Sequence, residues 1–171
     1  MPSPIGHALG GLLVHVVSAR DPAQIADTRR AMLAMAAATA PDLDLLVRFL
    51  DGHNHHQGGT HSLFAALVAS LVVAGFSHAS RRIDYGAVAG FAWGSHLLFD
   101  FLARDTSPPI GIPLLWPAPI YFHCPHPIFL DIGRTLESST VTHNAVALAW
   151  EVAILLPILA LIYRWRTRRA T

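Results

Sequence analysis

The sequence predicts an all-α integral membrane protein, a helical bundle of about five helices with a Pro-rich extramembrane loop. Three observations carry this expectation. Of the 171 residues, 53% are hydrophobic and only 13% are charged, against roughly 25% charged in an average soluble domain. Apolar stretches of helix length recur along the chain, separated by short segments that carry arginine. All 12 basic residues are arginine, and most of them cluster at the ends of those stretches. The length suits one domain covering residues 1–171. A net charge of +1, with no basic face outside the last few residues, argues against a nucleic-acid partner. Cys124 is the only cysteine, so no intrachain disulfide can form. The opening MPSPIGHALGGLL lacks a basic leader and a small-residue cleavage site, and reads as mature protein.

The first apolar run covers residues 4–19. As a helix it would reach about 24 Å, slightly short of a roughly 30 Å hydrocarbon core. Gly6, Gly10 and Gly11 give it a small-residue side suited to close packing. Arg20, Asp21 and Pro22 end it, and a polar loop to Asp27 is expected. Residues 31–40 form an alanine-rich helix that stops at Pro41. Pro41 could open a separate interfacial helix, PDLDLLVRFL, and residues 51–59 read as loop. Either Thr60 or Ser62 can cap the next helix. Residues 63–79 and 85–103 are convincing spans. Residues 104–139 hold seven of the 12 prolines with Trp116, Tyr121 and Phe122, a composition for a loop over a site or along the headgroup layer. A last span over residues 144–163 is closed by RWRTRR.

Threading the chain through a bilayer with five crossings puts Arg20, Arg29, Arg30, Arg81, Arg82 and the four arginines from Arg164 to Arg169 on one side. The positive-inside rule makes that side cytoplasmic, and the C-terminus with it. The expectation is a multi-pass protein of the cell membrane. His7, residues 41–62, the end of the fourth span and the Pro-rich loop then share the extracytoplasmic face. The chemically distinctive residues fall together without having been used to thread the chain.

Those residues form three groups. His96 and Asp100, in HLLFD, are four apart on a helix and share a face; such a pair in an apolar span is costly unless it is mutually bonded or holds a cation. Asp42 and Asp44 are two apart and cannot share a helical face. One is expected to ligate and the other to cap or support, with Asp44 chosen as ligand and Asp42 as cap. His56 and His61 flank QGGT, whose glycines allow the tight turn that would bring them to one ion. His7 lies at the same outer end, where a satisfied polar group is the plainer alternative. His53 and His55 fit an exposed loop equally well. His123, His126, Asp131 and the soft donor Cys124 are further candidates from the Pro-rich loop. His15 is expected to pack, and His78 lies on the cytoplasmic end. No G-x-S-x-G, P-loop, HExxH or CxxC pattern is present.

Taken in order, His7, then APDLD at 40–44, H-x-G-x-T-H-S at 56–62 and HLLFD at 96–100 before a Gly/Pro/Trp-rich segment resembles the YdjM-like family of inner-membrane metal-dependent hydrolases. The resemblance covers roughly residues 5–120, and Gln57 departs from the arginine that often follows the histidine there. It implies His7, Asp44, His56, His61, His96 and Asp100 as metal ligands. It also implies an inner-membrane location and a distant likeness to zinc-dependent phospholipase C and P1 nuclease.

With neutral imidazoles and carboxylates as donors, zinc is the expected divalent metal, with manganese or iron as alternatives. Six ligands exceed the need of one tetrahedral ion and favour two. The expected reaction is hydrolysis of a phosphoester or other ester in a lipid-like substrate by metal-activated water, with Asp44 or Asp100 as the catalytic, bridging carboxylate. Membrane lipids are the expected partners. The rival readings are a membrane protein that binds or transports a divalent metal, with Glu151 among the few polar groups toward the cytoplasmic half, and a purely structural ion.

Overall fold

A computed structural model of the chain describes residues 1–51, 56–106, 108–133, 135 and 137–168. The described residues form an all-helical protein. Extended pairing is confined to isolated bridges, Ala103 with Phe129 and Ile112 with Phe122. The helices are α1 (Pro4–Ser18), α2 (Pro22–Ile25), α3 (Thr28–Thr39), α4 (Asp44–Asp51), α5 (Leu63–Phe76), α6 (Arg82–Phe101) and α7 (Ser138–Arg168). Short 3₁₀ turns at Ala40–Leu43 and Gly59–His61 join α3 to α4 and lead into α5.

Local signals set most of these ends. Ser3 caps α1 by accepting from the Gly6 N–H, with Pro4 in the first turn. Asp21 and Asp27 cap α2 and α3 in the same way, so the expected polar loop contains a helical turn. Ser62 rather than Thr60 caps α5, accepting from Ala65 N–H; the Thr60 hydroxyl has a different partner, described below. Pro41 ends α3 without ending the helical backbone, which continues through the 3₁₀ turn into α4. It sits at the start of the 3₁₀ turn, where its missing N–H costs little.

While α5 packs on α6, α1 packs against α3, α6 and α7. Its three glycines each admit a different neighbour. A Cβ at Gly11 would collide with the Ala34 backbone of α3, one at Gly10 with the Phe99 ring of α6, and one at Gly6 with the Glu151 carboxylate of α7. The small-residue side expected from the sequence thus works on three fronts. Between α3 and α6 the core is alanine and valine, built on Ala34, Ala38, Val88, Ala89 and Ala92, which lets these two helices run close.

α7 is the one helix among those described that is both long and apolar enough to cross a membrane; α1 and α5 are apolar but shorter. It begins at Ser138 rather than near residue 144. Its polar first turns are supported locally, with the Thr142 hydroxyl donating to the Ser138 carbonyl. Glu151 on α7 is fully buried and accepts from the Ser3 backbone N–H at 2.8 Å and from the Ser3 hydroxyl. This corrects the expectation for Glu151. It lies against the N-terminus of α1, where the helix dipole favours an anion, at the end of the bundle that carries His7.

At the other end of α1, fully buried Arg30 gathers three elements. Its guanidinium donates to the His15 carbonyl at 2.6 Å, to Ser18 Oγ at 2.8 Å and to Asp84 Oδ2 at 3.0 Å. Asp27 accepts from Arg81 at 2.9 Å nearby. Arginines from the starts of α3 and α6 therefore do meet at one end of the bundle, and His15 packs there as expected. The Pro-rich segment returns to the opposite end, where Leu63 N–H donates to the Leu114 carbonyl and the Trp116 ring lies over Gly59.

Candidate metal centre

The centre is built at helix ends. α1 contributes His7 from its first turn, and the last turns of α6 contribute His96 and Asp100. The 3₁₀ turn after α3 carries Asp42, α4 begins at Asp44, and His56 and His61 flank the turn before α5. All except Asp42 are buried, and the Asp42 side chain is only 11% exposed.

Two trios stand side by side. His7, His96 and Asp100 can each turn one donor atom to a common point, and so can Asp42, His56 and His61. The trios touch. His61 Nε2 is 3.4 Å from Asp100 Oδ2 and 3.2 Å from His96 Nε2, while Asp42 Oδ1 lies 3.7 Å from both imidazoles. His7 Nε2 approaches Asp100 Oδ1 at 3.4 Å, and its ring stacks on that of His96 with centroids 3.8 Å apart.

The backs of the rings show how they are held. His96 Nδ1 donates to the Ala38 carbonyl at 2.8 Å, which leaves Nε2 bare toward the centre. His61 Nδ1 faces Asp44 Oδ2 at 3.2 Å, and His56 Nδ1 faces Asp44 Oδ1 at 3.0 Å. The Thr60 hydroxyl donates to Asp44 Oδ2 at 2.7 Å, and Trp93 Nε1 fixes the Thr60 carbonyl at 2.9 Å. Burial pushes the Asp44 carboxyl up, but its bonds with His56, His61 and Thr60 outweigh this and hold it well below the usual carboxylate range.

Six buried atoms, both side-chain nitrogens of His7 and both oxygens of Asp42 and Asp100, have no hydrogen-bond partner among the described residues. Each such atom ordinarily costs about 1–3 kcal/mol. Native proteins keep them rare unless an ion or water satisfies them. Around His61, burial disfavours the imidazolium, yet Asp100, Asp42 and Asp44 overcome it and raise the imidazole well above its usual range. These three carboxylates favour a positive charge at His61. These buried His and Asp groups could hold a metal ion, and the donor set of imidazole nitrogens and carboxylate oxygens fits a divalent one.

The structure brings together all six residues expected to ligate: His7, Asp44, His56, His61, His96 and Asp100. It adds Asp42, which the sequence alone points to as a cap or support. The helical-face argument separated the two aspartates correctly. Because they cannot share a face, they reach opposite edges of one ring, Asp42 near Nε2 of His61 and Asp44 at its Nδ1. The signal for Asp42 was Pro41, which starts a tighter turn there. Thr60 was also missed, having been read as a possible cap. His123 and His126 are exposed, and Asp131 bonds Thr106 and pairs with His143 at 3.3 Å, away from the centre. Cys124 Sγ is engaged with the His126 carbonyl. His78 lies at the arginine-bearing end, beside Ser80. His53 and His55 lie outside the described residues.

An all-helical bundle with one evident span and a buried His/Asp cluster defines a helical membrane protein with a candidate metal-binding centre. The chain belongs to the YdjM inner membrane protein family, whose family model matches residues 1–170. Neither a curated protein nor a solved structure matches the chain.

Proposed function

We propose that this protein is a multi-pass, membrane-bound metal-dependent hydrolase that cleaves a phosphoester or other ester of a lipid-like substrate. In this reading the C-terminus is cytoplasmic and the metal centre faces the extracytoplasmic side. The carrying observation is the pair of touching trios. Each offers three protein donors, which leaves a tetrahedral ion an open position, as in catalytic rather than structural sites.

His7, His96 and Asp100 would hold one ion, and Asp42, His56 and His61 the other. Divalent ions held there would supply Lewis acidity, which lowers the pKa of water and offsets charge on ester oxygens. Zinc suits the donor set best. The chain's own part is to hold the donors rigid and dry. Asp44 takes the positioning role, gripping the Nδ1 sides of His56 and His61, while Asp42 and Asp100 present their oxygens to the interior. Asp100 would serve both trios, since its two oxygens face His7 on one side and His61 and His96 on the other. Trp116, Tyr121 and Phe122 would set the depth of the headgroup.

A purely structural ion is the second reading, favoured by the complete burial of His7, His61 and His96. Metal analysis of the purified protein, paired with hydrolysis of a soluble phosphodiester and of phospholipid vesicles, separates the two. The hydrolase reading expects metal-dependent turnover that is lost in Asp100→Ala. Full metal occupancy with no turnover on either substrate supports the structural ion. Unchanged metal content in both His61→Ala and Asp100→Ala would refute the centre itself.

A further inference from the structure

A groove of about 560 Å³ runs along the outside of the bundle between α3 and α5 and ends at Gly59, Thr60 and Trp116, with Thr60 bonded to Asp44 behind it. Its α3 wall presents Leu33, Ala36 and Ala37, spaced to share one helical face, with Ala40 of the following turn beyond them. Its α5 wall presents Phe64, Val68 and Val72, again on one face and extending about 12 Å along the helix axis. Thr60 is the one lining residue with a hydroxyl or charge, and that hydroxyl is already committed to Asp44. The indole N–H of Trp93 is likewise bonded, to the Thr60 carbonyl. The groove therefore offers a guest only apolar contact.

Both walls lead to the same place. Beyond Ala40 the α3 wall passes into the turn that carries Asp42, and above Phe64 the α5 wall passes into Thr60 and His61. Trp116 closes this end, lying over Gly59 and 6.2 Å from the Phe64 ring, while remaining 45% exposed. A tryptophan at the mouth, with one edge in an apolar channel and the other open, is the arrangement found where hydrocarbon meets headgroup. The volume lies within the range of sites that hold a small molecule.

We propose that this groove seats one hydrocarbon chain of a membrane lipid, with the lipid's ester or phosphoester at the metal centre. The proposal rests on the hydrolase reading for the fate of the headgroup, but chain binding is testable by itself. Small side chains make the channel: alanine at 36 and 40 leaves room that a larger residue would fill. The continuity of both walls with Asp42 and His61 gives the occupant a fixed polarity, chain along α5 and headgroup toward Trp116.

The test uses the full-length protein in vesicles containing phosphatidylcholine with a photoactivatable group on one acyl chain, followed by mapping of the labelled residues. Labelling is expected at Val68 and Val72 in preference to the exposed Leu156 and Leu161 of α7. It should fall by about tenfold in Ala36→Phe, roughly the effect of displacing two buried methylenes. Val68→Phe, from the opposite wall, should give the same loss, and wild-type metal content in both variants would show that they fold. Labelling spread evenly over α5 and α7, or unchanged in both folded variants, would overturn the proposal. Groove labelling without hydrolysis of any ester would leave the chain site standing and remove the hydrolase reading.

Discussion

Replacing Asp44 with Asn separates a positioning carboxylate from a ligand. In the native centre Asp44 accepts at both oxygens, from His56 at 3.0 Å and from His61 and Thr60 at 3.2 and 2.7 Å. Asparagine keeps the shape and one acceptor but turns an N–H₂ toward groups that donate. At least one ring loses its back bond, and the freed donor is left buried. Loss of such an outer partner typically weakens metal binding 10- to 100-fold, or about 1.4–2.7 kcal/mol. Asp44→Asn should therefore bind metal at the wild-type stoichiometry with affinity reduced by that factor. Asp42→Ala should lose about one ion per chain. Competition of purified protein against a zinc indicator gives the affinities, and elemental analysis gives the stoichiometry. If Asp44→Asn loses an ion outright while Asp42→Ala keeps both, Asp44 is a ligand as the sequence suggested, and the positioning assignment is wrong.

Other parts of the fold give expectations of their own. Thr60→Val removes one bond to Asp44 and should weaken metal binding by about 0.5–1.5 kcal/mol, measured in the same competition; an effect as large as that of Asp44→Asn would mean that the turn itself had collapsed. Gly11→Val drives a side chain into the Ala34 backbone and should lower stability by roughly 1–3 kcal/mol, read as a fall in melting temperature in detergent; an unchanged melt would contradict the α1–α3 contact. Arg30→Met strands the partly buried Asp84 and should cost about 3 kcal/mol, with metal stoichiometry intact because the two networks lie at opposite ends. Stripping the metal with chelator should lower the melting temperature reversibly, since an ion that binds only the folded state at 100 times its dissociation constant adds about 2.7 kcal/mol.

How much of this was legible in the sequence depended on whether local chemistry decided it. Helix starts were readable where a capping residue preceded an apolar run, as at Ser62. The glycines of α1 announced close packing, although which helix each one faces is a tertiary fact. The six expected ligands converge because each sits beside a helix end and those ends lie together in the bundle. The division of labour between Asp42 and Asp44 was not legible. It depends on a 3₁₀ turn at Pro41 that rotates the two carboxylates around the His61 ring, and spacing alone says only that they diverge. Glu151 was misplaced for a related reason. Counting along α7 gives its depth in one helix, but its partner is the N-terminus of another.

Placing the centre at helix ends has a physical consequence for the order in which it can form. His7, His96 and Asp100 come from α1 and α6, which are packed directly on each other, so the first trio is fixed once these helices associate. The second trio depends on two short turns, and those turns are held by Asp44, Thr60 and Trp93 rather than by a helix–helix interface. Local opening is least costly where few buried apolar contacts must be broken. The Asp42–His56–His61 side, which adjoins Trp116 and the Pro-rich segment, is thus expected to be the softer half of the centre. If each trio holds an ion, partial chelation should remove the one at this second trio first, and amide exchange should rise at residues 56–62 before it rises in α1 or α6. Loss of protection in α1 at the same chelator concentration would show that the two trios form a single cooperative unit.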